Sequence, residues 1–189
     1  MRGLVCANRI VVIAAILAAT GCESQHLPPK EQAAEVQLKI LDYAGIQRLI
    51  ADHRGQVVVV DAWSTGCPPC IAEFPRLVAL HDKYKSRGLE CISLSLDFEG
   101  VGKPEDVSPQ VLAFLRKHNA ALDNVLAADE PETIYKKLDA ASIPLVLVYD
   151  RQGKPRGRLQ EGEAKKGEPA PKPLYDQVEA LVETLLAEK

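Results

Sequence analysis

The chain has 189 residues, 47% of them hydrophobic, and its 23 basic and 26 acidic side chains leave a formal net charge of −3. That balance offers no electrostatic footprint for nucleic acid, and aromatics at 5% are too few for a base-stacking surface. Among the five cysteines only one pair is close in sequence, so a disulfide scaffold is excluded and an apolar core must hold the fold.

Arg2 and Arg9 flank a start without acids, and Ile10 to Ala19 is then almost wholly apolar. A basic segment followed by a short apolar one, with small residues after it, is the build of a secretory signal peptide. The apolar run falls well short of the about 20 residues that span a bilayer. Ala19-Thr20-Gly21-Cys22 resembles the lipobox of bacterial lipoproteins, with Ala where Leu is commonest. That resemblance implies cleavage after Gly21 and a lipid on Cys22, each buried CH2 contributing about 0.8 kcal/mol to anchorage. Residues 1–21 are thus expected to be a signal peptide and 22–35 a polar tether. Residues 36–189 are expected to form one domain. An ordinary secreted chain with Cys22 as a structural or free thiol is the alternative.

Val36 to Leu41 alternates apolar and polar residues, the period of a half-buried strand. Ile46, Leu49 and Ile50 recur at helical spacing before Gly55. The run Val57 to Val60 is continuous and β-branched, as in a strand buried on both faces. From Pro68 to Lys85 the apolar positions are helical, with Pro75 placed to kink the helix. Leu89 to Leu96 is a further strand with Asp97 at its carboxyl end. Phe98 to Pro109 reads as loop, with Ser108 as an N-cap and Pro109 as first residue of a helix through His118.

An extended piece at Val125 and Leu126 and a helix from Glu132 to Leu138 follow. Leu145 to Tyr149 and Pro155 to Leu159 form a hairpin across Asp150 to Gly153. A polar loop from Gly162 to Pro173 leads to an amphipathic helix carrying Leu174, Val178, Leu181, Val182, Leu185 and Leu186. Strands alternating with helices, then a hairpin and a helix, predict an α/β sandwich with a central mixed sheet.

Cys67-Pro68-Pro69-Cys70 falls between the Val57 strand and the Pro68 helix. A helix N-terminus favours an anion, lowering a thiol pKa from about 8.5. Two intervening residues let Cys70 reach back one turn to Cys67, the geometry for attack and resolution through a mixed disulfide. Half of a zinc site is the competing reading, but a structural zinc needs four ligands and no second pair exists.

The stretch Val57 to Pro75 resembles the active-site region of thioredoxin-like proteins, most closely the exported TlpA/ResA-type and cytochrome c maturation oxidoreductases. The similarity in element order runs from Val36 to Leu159. It implies a thioredoxin-like three-layer sandwich, dithiol chemistry without a cofactor or metal, and a reducing role outside the cytoplasm. The implied partners are protein thiols and disulfides and a membrane electron donor. Residue by residue, Cys67 matches the exposed nucleophile, Cys70 the resolving thiol and Trp63 the tryptophan beneath the site. Asp61 matches the buried acid of thioredoxins, Glu73 an acid that tunes the cysteines, and Pro144 the cis-proline facing them. Gly66 departs from the pattern, since relatives usually carry Trp there. Two alternatives stay open: a thiol peroxidase-like enzyme, and a non-enzymatic lipoprotein holding a partner or a metal such as copper.

Overall fold

The computed structural model describes residues 35–160 and 172–188. The expected signal, Cys22 and most of the Gly162–Pro173 loop lie outside them. In chain order the elements are β1 (Lys39–Leu41), α1 (Tyr43–Asp52), β2 (Val57–Trp63), α2 (Pro68–Tyr84), β3 (Leu89–Ser95), α3 (Pro104–Lys117) and β4 (Asp123–Ala127). Then come α4 (Pro131–Lys137), β5 (Leu145–Tyr149), β6 (Pro155–Gln160) and α5 (Leu174–Ala187).

The strands make one sheet in the order β1-β4-β3-β2-β5-β6, parallel from β1 to β2 and antiparallel across β5 and β6. β2 is central, and all of its residues are buried, as a continuous Val run requires. Alternation along it sends Val58, Val60 and Ala62 to an aliphatic cluster with Ile46 and Ile50 of α1 and Ile134 of α4. Val57, Val59 and Trp63 face the larger cluster formed with α2, α3 and α5. The result is the expected three-layer α/β sandwich.

Local chemistry sets the boundaries. The Asp42 side chain caps α1 by accepting from the Gly45 N–H at 2.7 Å. Gly88, at φ 91°, takes the left-handed conformation that turns the chain from a 3-10 turn after α2 into β3. β1 is shorter than its alternation suggests: its pairing begins at Lys39 opposite Val125. The Gln37 carbonyl instead accepts from the Asn124 side chain at 3.1 Å.

α3 is a correction to the sequence reading. It begins at Pro104 rather than Pro109, with Pro104 in the first turn and Asp106 accepting from the Lys103 N–H at 2.8 Å. Pro109 sits inside the helix, where it cannot donate to the Glu105 carbonyl. Ser108 is no cap; its hydroxyl donates to that same carbonyl at 3.0 Å, in place of the missing N–H. α2 likewise runs on through Pro75.

Candidate active site

Cys67 is the N-cap of α2, half-buried, and its Sγ accepts from the Cys70 N–H at 3.3 Å. Pro68 and Pro69 occupy the first turn, where the missing N–H groups have no intrahelical acceptor to lose. One turn on, Cys70 is buried in the larger cluster, and the two sulfurs are joined in a disulfide with Cα atoms 5.3 Å apart. The outer sulfur lies 4.0 Å from the Ile143 carbonyl oxygen. The Ile143–Pro144 peptide bond is cis. Thus one end of α2 and the entry to β5 converge on the outer sulfur.

The turn before Cys67 is held from β3. The Asp97 carboxylate accepts from the Thr65 N–H at 3.0 Å and from the Ser95 hydroxyl at 2.6 Å, and the Thr65 hydroxyl also donates to it. Charge-assisted bonds of this kind fix a loop firmly. They do so at the carboxyl ends of the parallel strands β2 and β3, where open α/β sheets place their sites. Gly66 is exposed, and a Cβ there would meet only the Ser64 hydroxyl, at 3.8 Å. The backbone therefore does not require glycine. Beside it opens a cleft of about 400 Å³ bordered by Thr65, Gly66, Asp97, Val101 and Val107.

Beneath the disulfide, Trp63 is fully buried and its indole N–H donates to the Ser93 hydroxyl at 2.9 Å. Phe74 and Phe114 pack on it with ring centroids 4.8 and 4.7 Å away. His118 closes this aromatic stack against Phe114, and burial holds its imidazole below the ordinary value.

Asp61 is 3% exposed, on the same face of β2 as Val59 and Trp63. Its Oδ2 accepts from the Tyr175 hydroxyl at 2.6 Å, and its buried Oδ1 has no partner. Burial pushes its carboxyl up to about 7, opposed by the Tyr175 hydrogen bond and reinforced by the charge of Glu73. Glu73 is half-buried, and its Oε2 lies 3.7 Å from the Arg76 guanidinium, an ion pair too long to be a hydrogen bond.

Cys91 is fully buried and its thiol is pushed well up, first by burial and then by the charges of Glu90 and Asp61. Among the described residues no group of three His, Cys, Asp or Glu side chains is placed to hold a metal.

The structure thus brings Cys67, Cys70 and the Ile143–Pro144 bond together, and sets Trp63, Asp61 and Glu73 on the side of the sheet covered by α2. Cys22 falls outside the described residues. Two site groups escaped sequence reasoning, Asp97 as the anchor of the Thr65 turn and Tyr175 as the donor to Asp61. For Tyr175 a signal existed: it is three residues before Val178 and seven before Val182, on the buried face of α5.

A family model described as the AhpC/TSA family matches residues 29–157. The thiol-disulfide oxidoreductase ResA of Bacillus thuringiensis subsp. konkukian is 26% identical over 152 residues, covering 77% of this chain and 82% of the relative. ResA of Bacillus cereus is 28% identical over 115 residues, 61% of each chain. A thiol:disulfide interchange protein of the thioredoxin family from Chlorobium tepidum gives a TM-score of 0.52 at 20% identity, over 72% of this chain and 84% of that one. A secreted disulfide oxidoreductase of Mycobacterium tuberculosis, homologous to E. coli DsbE, gives 0.52 at 18% identity, over 71% and 86%. These likenesses make the fold thioredoxin-like.

Proposed function

This chain belongs to the AhpC/TSA family and is a thiol–disulfide oxidoreductase, and on that premise we propose that it reduces protein disulfides outside the cytoplasm through Cys67 and Cys70. One observation carries the assignment of roles: the pair spans the start of α2 with Cys67 outward and Cys70 buried. In the dithiol form the Cys67 thiolate, favoured by the helix N-terminus, attacks one sulfur of a substrate disulfide and releases the other as a thiolate. Cys70 then gives its proton to Asp61 and attacks the Cys67 sulfur. The second substrate thiolate leaves, and the Cys67–Cys70 disulfide forms. Two electrons have passed to the substrate, and a dithiol donor at the membrane must return them.

Asp61 suits the proton step because a carboxyl near 7 both accepts and gives up a proton at neutral pH. Trp63 supports the site from below, and Glu73 raises Asp61 through its charge. The Ile143 carbonyl, beside cis-Pro144 and 4.0 Å from the Cys67 sulfur, would meet substrate backbone next to the attacked sulfur. Residues 1–22 support export and a lipid on Cys22, and residues 22–35 would then tether the domain. A peroxidase would need a reactive cysteine outside the pair. Cys91, the free cysteine among the described residues, is buried with its thiol pushed up, the reverse of a reactive site.

Trapping tests the roles. Cys70→Ser should accumulate mixed disulfides between Cys67 and a reducible protein substrate, visible on non-reducing gels. Cys67→Ser should trap none. Equal trapping by both variants would contradict the assignment.

A further inference from the structure

We infer that Tyr175 is a positioning residue for thiol–disulfide exchange: by holding Oδ2 of Asp61 it leaves Oδ1 as the oxygen that takes and returns the proton. The inference rests on the proposed role of Asp61 and adds the group that orients it.

The hydrogen bond joins residues 114 apart in sequence and lies where both side chains are almost wholly buried, Tyr175 at 2% and Asp61 at 3% exposure. Packing does not explain a hydroxyl there. The rest of the buried face of α5 is Leu174, Val178, Val182 and Leu185, and a phenylalanine would fill the same space without a polar atom to satisfy. When Asp61 is protonated, Oδ2 is already accepting from Tyr175, so the proton belongs on Oδ1, which has no other partner. Without the hydroxyl the two oxygens would be equivalent in their bonding.

Tyr175 is in turn fixed to the helix that carries Cys70. The neighbouring Asp176 accepts from Arg76 of α2, and Glu179 pairs with Lys83 at 2.7 Å. The Tyr84 hydroxyl donates to Glu183 at 2.6 Å. The seam between α2 and α5 therefore sets where the donor stands relative to the cysteines.

The titratable groups facing Asp61 are Tyr175 from α5, Glu73 from α2 and Cys91 from β3; from β5 its neighbour is Val146. Cys91 and Tyr175 are both pushed above their ordinary values by burial, so both stay neutral through the range where Asp61 titrates. Glu73 raises Asp61, and Tyr175 is the group that lowers it.

The test uses the full chain as wild type, Tyr175→Phe, Asp61→Asn and the double variant. The Asp61 carboxyl is followed by carbon-13 NMR, and single-turnover reduction of a disulfide-bonded fluorogenic peptide is followed against pH. Tyr175→Phe should raise the Asp61 titration by about one unit and move the rate profile up by the same amount, a loss of about fivefold at pH 7. In the Asp61→Asn background it should change nothing. Should the Phe variant fold poorly, 3-fluorotyrosine at 175 keeps the shape, strengthens the donor and should move both readouts down. An Asp61 titration indifferent to these changes in an active chain overturns the inference alone, as does a moved titration with an unmoved rate profile. A wild type that exchanges no disulfide overturns the functional reading, and the inference with it.

Discussion

Under α1 and α4 the sheet offers Val58, Val60, Ala62, Ile92, Leu94 and Val125, and every buried side chain of that cluster is aliphatic. Under α2, α3 and α5 the same strands set Asp61, Ser93, Ser95 and Asn124, all buried and polar, among Val57, Val59, Trp63 and Leu126. Alternation along β2 and β3 sorts the two sets, since neighbouring residues point to opposite faces. The aliphatic face draws its free energy from area and close packing, and it is indifferent to pH. The other face accepts the cost of buried polar groups, each offset only by a specific partner, and it is the face that carries the disulfide.

Four substitutions sharpen that contrast, in descending size. Cys67→Ser should lower turnover by about a thousandfold or more while leaving the melting curve of the reduced chain almost unchanged, because it removes the attacking atom and no packing. Ile92→Ala, on the aliphatic face, should do the reverse. It should lower unfolding free energy by about 2–5 kcal/mol in urea titrations, with the exchange rate of the folded fraction intact.

Asp61→Asn should act through pH. The folded-state carboxyl is raised, from 3.8 to about 7, so the folded chain binds more protons than the unfolded one between those values, and stability falls as pH rises through that window. Relative to wild type, Asp61→Asn should gain about 4 kcal/mol between pH 4 and pH 8. An identical pH dependence in the two chains would break the contrast between the faces. Ser93→Ala strands the buried Trp63 N–H and should cost about 1–3 kcal/mol at any pH, read from the same urea titrations.

What was legible in the sequence follows the range of the interactions. The Val57 to Val60 run, the paired cysteines at a strand-to-helix junction and the Asp150 to Gly153 turn are local signals, and the structure has each element at those residues. The start of α3 was misplaced because two prolines each suit a first turn. What decides between them is a pair of side-chain bonds, Asp106 to the Lys103 N–H and Ser108 to the Glu105 carbonyl. The Asp97–Thr65 anchor and the Tyr175–Asp61 bond span 32 and 114 residues, and no periodicity encodes them. Asp61 could be singled out as a carboxylate in a core strand. Its partner is legible only as far as the buried face of α5: the helical period places Tyr175 there but does not say which group its hydroxyl meets.

The most direct test of the account is the reduction potential of the Cys67–Cys70 pair in the full chain, equilibrated in graded thiol buffers and trapped by alkylation. A reductase recharged by a membrane donor predicts a single two-electron transition at or below about −270 mV. A midpoint between about −120 and −180 mV would contradict it, placing the pair with the oxidants and isomerases.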